Sequence, residues 1–486
     1  MKIKIGIILD FPAYGGGSFQ YAWSMLEALY ISTRKRNHEL IIFVRFDEWE
    51  DYLSNFEIKK IRIVGQYIKD KLIIDAEECD LIFASCQSNW SERLCSPTVV
   101  PIHDLMHRYE TGFPEVGDER ERRARDYLFH SITEKAFGIL VDSQIGLEHV
   151  TECYGKYHEK KIHVLPFAIP RYLNEIEQDI EIPFNKYIFY PAQFWKHKNH
   201  VNLLKSISEL RKQKIIVNCV FVGSKMNGYD DAVALVDELN LNNQIIFLGY
   251  VSNSQMGYLY KNACALVMPT FFGPTNIPPI EAMSLGCPVA VSGIFGMPDQ
   301  LGDAAIYFNP SNVDEIASAI KKYWMDDDFC QIMRIKGKRQ AEKYTQNEFN
   351  IKFDRIFEDL LDKACIYKEK TSRLRKFCND HNRIFLYGAG INALFLLSIM
   401  RKLGINAEAI FVTELKDNID MESIFDKDIY EFNMDKVNDM DGIICAGSKL
   451  MQEEVEHYLI KQGVLPENMY LTDAIKVKEI YEIMYR

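Results

Sequence analysis

The sequence predicts an α/β protein of three successive units, each a parallel sheet covered by helices. Three observations predict it. Short apolar, β-branched runs alternate with longer helical patterns along the chain, the mark of strand–helix–strand crossovers. The strand runs are apolar at nearly every position, which suits strands buried on both faces. The alternation stops at the acidic, proline-containing stretch NEIEQDIEIPF, residues 174–184, then restarts, and restarts again near Lys370. A chain of 486 residues accommodates roughly two to four domains.

The first unit, residues 1–175, has expected strands at 3–9, 40–44, 81–84, 98–102 and 138–141, with helices at 19–31 and 119–135. The second, residues 185–345, has strands at 187–190, 216–222, 244–248, 265–268, 289–291 and 305–307, and closes with helices at 313–325 and 328–342. A further helix at 346–361 carries Phe349, Phe353, Ile356, Phe357 and Leu360 on one stripe. The third unit, residues 370–486, opens with a strand at 383–387, followed by Gly388-Ala389-Gly390 and a helix at 391–403. A strand at 409–412 ends at Thr413 and Glu414; a later strand at 441–446 and a helix at 451–462 continue the pattern.

Bulk properties narrow the function. A net charge of −12 argues against a protein devoted to nucleic acid. The 11 cysteines form no CxxC pair, so neither a zinc site nor a dithiol redox site is signalled, and the odd count suits a reducing compartment. The apolar run at 5–9 is too short for a secretory leader, and no run is long enough to span a membrane. The expected location is cytoplasmic. Arg34-Lys35-Arg36 follows a helix and complements its dipole. Arg120, Arg122, Arg123 and Arg125 interleave with Asp118, Glu119, Glu121 and Asp126 as a solvated face. Peripheral contact with anionic headgroups at the inner face of a membrane stays open as a second reading of both clusters.

Chemistry concentrates at three strand-to-helix junctions. From Thr270 the chain reads TFFGPTNIPPIEAMSLGCPV: a small loop feeding a helix expected to begin near Pro279, with Glu281 in its first turn. A helix start that accepts anions, with one carboxylate beside it, suits a sugar attached to a diphosphate. PAQFWKHKNH, Pro191–His200, supplies Lys198 for the same phosphate, and Gly15-Gly16-Gly17 lets backbone approach a ligand closely. When a sugar leaves a nucleotide diphosphate, negative charge collects on the β-phosphate, and cations and oriented N–H groups stabilise it. Such junctions are where open α/β sheets bind ligands. Each residue also has a plain structural reading: a turn glycine, a surface lysine, a glutamate complementing a helix dipole.

These segments, with VPIHDLMHRYETGFPE, VDSQIGLEHVTECYG and IHVLPFAIP in order along residues 1–365, resemble the retaining glycosyltransferases of family 4, also called group 1 glycosyltransferases. The resemblance implies the GT-B fold: two Rossmann-like domains facing a cleft, the first binding the acceptor and the second the nucleotide sugar, with the return helix 346–365 crossing back. It implies that Lys198 contacts the donor diphosphate, Glu281 the ribose, and Gly16 and Gly17 the donor phosphates. His103 would lie near the donor sugar and reaction centre, and Asp104 beside it, facing the acceptor. Thr275, Asn276 and Ile277 would supply loop contacts. Two departures stand out: Gly273 occupies a place where the family often has a glutamate, and Gln193 one where an arginine commonly stands. The family mechanism is retaining transfer without a metal or cofactor, from a GDP- or UDP-sugar to a glycan acceptor, lipid-linked or free, in bacterial surface polysaccharide biosynthesis. His103 and His107 lack the pattern and third ligand of a zinc site.

In the third unit GAGINA, Gly388–Ala393, fits G-x-G-x-x-G/A, and Glu414 ends the next strand where a ribose-binding acid would sit. The unit is similar to small Rossmann-like domains attached to bacterial surface-polysaccharide enzymes. That implies accessory nucleotide binding through Gly388, Gly390 and Glu414, or docking to a partner. Two other functions stay open. One is an NAD(P)-dependent oxidoreductase carried by this unit. The other is a non-catalytic sugar-nucleotide scaffold, prompted by Gly273 and Gln193.

Overall fold

Three sheets form, one from each alternating run, in a computed structural model that describes residues 2–12, 16–54, 56–174, 178–414, 423–424, 426–447, 449–472 and 474–485. The first contains β1 (Lys4–Leu9), β2 (Glu39–Val44), β3 (Lys59–Arg62), β4 (Leu81–Ala84), β5 (Thr98–Pro101), β6 (Gly138–Val141) and β7 (Ile162–Val164) in the order β3-β2-β1-β4-β5-β6-β7. The second contains β8 (Ile188–Pro191), β9 (Cys219–Val222), β10 (Ile245–Phe247), β11 (Ala265–Met268), β12 (Val289–Ser292) and β13 (Ala305–Phe308) in the order β10-β9-β8-β11-β12-β13. Every pairing in both sheets is parallel. Strand order reverses between β1 and β4, and again between β8 and β11. Each reversal opens a crevice at the strand C-termini.

The third sheet contains β14 (Ile384–Tyr387), β15 (Ile410–Val412), β16 (Ser423–Ile424), β17 (Lys427–Glu431), β18 (Gly442–Cys445) and β19 (Met469–Leu471) in the order β16-β17-β15-β14-β18-β19. Only β16 pairs antiparallel among the described strands. This too is a Rossmann-like arrangement, smaller than the others.

Alternating burial explains the layers. On β1, Ile5, Ile7 and Leu9 enter one apolar core while Ile8 enters the core on the opposite face. The expected strands at 81–84, 138–141 and 265–268 and the helices Glu119–Lys135 and Val313–Met325 have the same bounds in the structure. The first helix, Gly17–Lys35, is longer at both ends than 19–31. β3 was not foreseen: it reads KKIR and is mostly exposed, an edge strand blunted by charge. Gly15 and residues 175–177 of the acidic stretch lie outside the described residues.

The return helix differs most from expectation. It runs unbroken from Gln346 to Asn379, 34 residues, with Thr345 Oγ1 capping the Glu348 N–H at 3.3 Å. Phe349, Phe353, Phe357 and Leu360 pack into the first unit, and Tyr367, Leu374 and Cys378 pack into the third. No glycine or proline interrupts the segment, so nothing stops it at 361 or 365. Asp354 pairs with Lys35 at 2.8 Å and with Arg36, fastening the helix to the first. Where the chain passes between the first two units, the Ile169 N–H donates to the Tyr344 carbonyl at 2.7 Å, joining the outgoing and returning segments.

Candidate active site

The loops after β1, β5 and β6 meet those after β8 and β11 across the cleft between the first two sheets. A Cβ built on Gly17 would lie 3.3 Å from Ile277 Cδ1, so the two helix starts abut. Thr275 Oγ1 donates to Asp142 Oδ2. Glu115 Oε1 accepts from the His197 N–H at 3.1 Å and lies 3.2 Å from its Nδ1. Phe113 packs against Phe271 and Phe272, with ring centroids 5.2 and 5.9 Å away.

On the second unit the helix spans Ile277–Ser284, so it begins two residues earlier than expected and Glu281 falls in its second turn. The early start follows from Asn276 at the N-cap and Pro278 and Pro279 in the first turn, where missing N–H groups cost nothing. Those prolines also thin the supply of donors. The Asn276 N–H goes to Gln300 Oε1 at 3.2 Å, and its carbonyl accepts from Gln300 Nε2 at 2.9 Å. The Asn276 side chain turns to Met297 Sδ at 3.4 Å. Thr275 and Ile277 are left to supply main-chain donors.

Gly273 has φ +112°, and a Cβ there would lie 2.9 Å from Asn276 Nδ2. The loop therefore requires glycine where the family often has a glutamate.

Glu281 is buried, and its carboxylate is held by two phenols: Tyr172 Oη donates to Oε1 at 2.6 Å and Tyr260 Oη to Oε2 at 2.5 Å. Burial raises its pKa and the two hydrogen bonds oppose the rise.

Lys198 closes the short 3₁₀ turn Lys196–Lys198, ahead of the helix His200–Lys212. Burial lowers its pKa to about 8, and the charge of Asp104, from the opposite unit, partly offsets that. Its neighbour His197 is kept neutral by burial and by Lys198, and its ring stacks on Phe272 at 3.8 Å. Gln193 is exposed and accepts from Trp195 Nε1 at 2.9 Å.

On the first unit Gly16 caps the helix Gly17–Lys35 with φ 58° and ψ −129°, a conformation that favours glycine. His103 sits just past β5, its N–H 3.2 Å from Gln87 Oε1 and its ring edge-on to Tyr21 at 4.7 Å. Burial lowers its pKa to about 4, and its Nε2 has no hydrogen-bond partner among the described residues. Asp104 accepts from the Met106 N–H at 3.1 Å. Its charge acts on His103, Lys198 and Asp142, so it sits amid the cleft groups. Asp142, at the end of β6, is fully buried and burial raises its pKa to about 6.

Sequence reasoning brought out Lys198, Glu281, His103, Asp104 and the glycines, but not Glu115, Asp142, Tyr172, Tyr260 or Gln300. A signal for Asp142 existed: a carboxylate directly after an apolar strand.

His107 turns to Asp126 at 3.6 Å. Among the described residues no group of three or more His, Cys, Asp or Glu is placed to hold a metal ion, and no helix is long and apolar enough to cross a membrane. In the third unit Gly388 has φ +106°, Gly390 caps the helix Ile391–Lys402, and Glu414 is exposed just past β15. The three share one strand-end edge, far in sequence from the cleft residues.

Residues 174–340 match the family model described as glycosyl transferases group 1. Over 170 residues the chain is 29% identical to O-antigen chain mannosyltransferase B of Escherichia coli, covering 35% of this chain and 44% of that protein. Over 127 residues it is 33% identical to O-antigen chain mannosyltransferase RfbU of Salmonella typhimurium, covering 26% of this chain and 35% of that protein. The chain thus spans less than half the length of these relatives. Among solved structures it resembles sucrose-phosphate synthase from Thermosynechococcus elongatus, with a TM-score of 0.61 at 16% identity, covering 74% of this chain and 100% of that one. It also resembles Anabaena HepE in complex with UDP and glucose, with a TM-score of 0.57 at 17% identity, covering 74% of this chain and 100% of that one. Those likenesses establish the GT-B fold for the first two units.

Proposed function

We propose that the chain, whose residues 174–340 match the group 1 glycosyltransferase family model, transfers a hexose from a nucleotide-diphosphate sugar to a glycan acceptor, with retention at the anomeric carbon. The observation that supports this reading is the approach of Asp104 to Lys198 and of the Gly17 helix start to Ile277 across one cleft, at the crevices of both sheets.

In the proposed reaction the bond from the sugar C1 to the β-phosphate oxygen breaks while a bond from C1 to the acceptor oxygen forms on the same face. The acceptor proton passes to a phosphate oxygen. Lys198, the amides of Thr275 and Ile277 and the start of the helix at Gly17 offset the charge collecting on the phosphate. Glu281, aimed by its two tyrosines, accepts from the ribose hydroxyls. Neutral His103, with Nε2 unpartnered, is placed to hydrogen-bond the sugar. No protein carboxylate need act as nucleophile, unlike in the paired-carboxylate glycosidases.

The mannosyltransferase relatives favour a mannosyl donor such as GDP-mannose, and bacterial surface polysaccharide as the acceptor class. The acceptor is lipid-linked or a free glycan, and neither a metal nor a further cofactor is part of the proposal. The oxidoreductase reading is not favoured, since the family match lies in the second unit.

The test is release of nucleoside diphosphate by purified protein offered GDP-mannose, UDP-glucose and an oligosaccharide acceptor, with the product anomer read by NMR. Lys198→Ala and Glu281→Ala should each abolish most turnover and leave the fold intact. Near-normal turnover in both variants overturns the site assignment. An inverted product overturns the mechanism.

A further inference from the structure

A cavity of about 660 Å³ lies between the first and third units, and none of its lining residues belongs to the cleft. Its walls come from the helix Tyr67–Asp75, the segment 91–95, the end of the helix Glu119–Lys135, the end of the helix Ile391–Lys402, and the turn that follows it. The two units touch here: Gly404, with φ +71°, sits so close to Cys95 that a Cβ on it would lie 2.9 Å from the sulfur. A cavity of this size holds a small molecule of nucleotide dimensions.

Its charge is one-sided. Lys71, Arg93, Lys135, Arg401, Lys402 and Lys427 line it, against Glu92 and Asp426, in a protein whose net charge is −12. Some of these cations are occupied. Lys71 pairs with Asp75, Arg93 lies over the Tyr67 ring at 4.1 Å, and Lys427 reaches Asn406 Oδ1 at 3.0 Å. Lys402 is the exception. Its ammonium donates to the Ser91 carbonyl at 2.6 Å, and no carboxylate among the described residues pairs with it. Burial lowers its pKa to about 8; the charges of Cys95 and Asp75 oppose that shift, and those of Lys135 and Lys71 add to it. Arg401 stands beside it in the last helical turn, exposed. One cation at a helix C-terminus would satisfy the dipole. A partly buried lysine on the wall of a cavity lined by six cations and two carboxylates gives an anion a place to bind.

We infer that this cavity binds a phosphorylated small molecule, its phosphate groups held by Lys402 and Arg401 from the third unit and Lys135 from the first. Such a ligand would clamp the two units together. A free inorganic diphosphate and a nucleotide share this chemistry, and the assay separates them.

The experiment is isothermal titration of the full chain, at constant ionic strength, with inorganic pyrophosphate, ADP and GDP in turn. Lys198→Gln serves as background, so that any diphosphate held in the cleft drops out. Binding to Lys198→Gln is expected to persist and to weaken about tenfold or more when Arg401→Gln and Lys402→Gln are added, the loss of two charge-assisted hydrogen bonds. Lys402→Arg should retain binding. Tighter binding of the nucleotides than of pyrophosphate identifies a base-binding wall; equal binding identifies a diphosphate site. Pyrophosphate should also slow amide exchange at 91–95 and 397–407, a readout available if the double variant fails to fold. The inference is overturned by no binding at millimolar pyrophosphate in Lys198→Gln, or by binding that the folded double variant leaves unchanged. Loss of the cleft site leaves this result untouched, so the two readings fail separately.

Discussion

Replacing Lys198 by methionine should abolish transfer and, at the same time, make the protein more stable. The methylene stem is kept while the charge is removed. Burial holds the pKa at about 8, against the ordinary 10.5. At about 1.4 kcal/mol per unit, carrying this charge costs the folded state about 3 kcal/mol as a ceiling, and the remaining exposure of the side chain makes the true cost smaller. Below pH 8 the penalty is present in full. Between pH 8 and 10.5 the unfolded chain keeps a proton that the folded chain has released, so stability contributed by this group rises with pH across that window. Lys198→Met should therefore melt on the order of 5 °C higher than the parent at pH 7, the difference shrinking toward pH 10. Differential scanning calorimetry at several pH values, paired with a nucleotide-release assay, reads both effects. A variant that melts at or below the parent temperature at pH 7, or a difference independent of pH, refutes the claim that burial of this cation is a functional strain.

Gly273→Glu should not add a useful carboxylate. With φ +112° and a Cβ 2.9 Å from Asn276 it should cost about 1–3 kcal/mol and lower turnover, as thermal melts and transfer assays will show. Glu281→Gln sets an amide N–H against a tyrosine hydroxyl, which should cost about 1–3 kcal/mol and raise the KM for the donor more than it lowers kcat; an unchanged KM contradicts the ribose assignment. Asp142 has a pKa raised from 3.8 to about 6, so its charge destabilises the fold in full above pH 6, and that penalty fades as pH falls toward 3.8. Asp142→Asn should flatten this part of the stability profile; an unaltered profile in urea melts from pH 4 to 7 refutes it. Phe353→Ala, fully buried on the return helix, should cost about 3–5 kcal/mol in denaturant melts without altering donor affinity.

Elements buried on both faces were legible because their apolar runs have one interpretation, as at 81–84 and 138–141. β3 was not, since a charged edge strand looks like a loop. The far end of the long helix was readable in principle: Leu360, Ala364, Tyr367, Thr371, Leu374 and Cys378 continue the helical spacing and are all buried. The apolar stripe merely passes from one core to the next. At the site, individual motif residues could be named because each follows a strand. Their partners could not: Thr275 and Asp142 lie 133 positions apart, Tyr172 and Glu281 109, and Glu115 and His197 82. Periodicity does not reach so far. Nor does it reveal that Pro278, Pro279 and Gln300 leave the donor helix with so few free amides.

The 34-residue helix, about 50 Å long, is also a mechanical statement. One rod passes through two cores and ties the third unit to the first. If the cleft opens to release nucleotide, the second unit swings against that combined body. Among the described residues, Ile169 and Tyr344 pair through the main chain where the outgoing and returning segments cross between those bodies. A fluorescent pair placed on the second and third units would report cleft opening as a change in distance, while a pair on the first and third would stay silent.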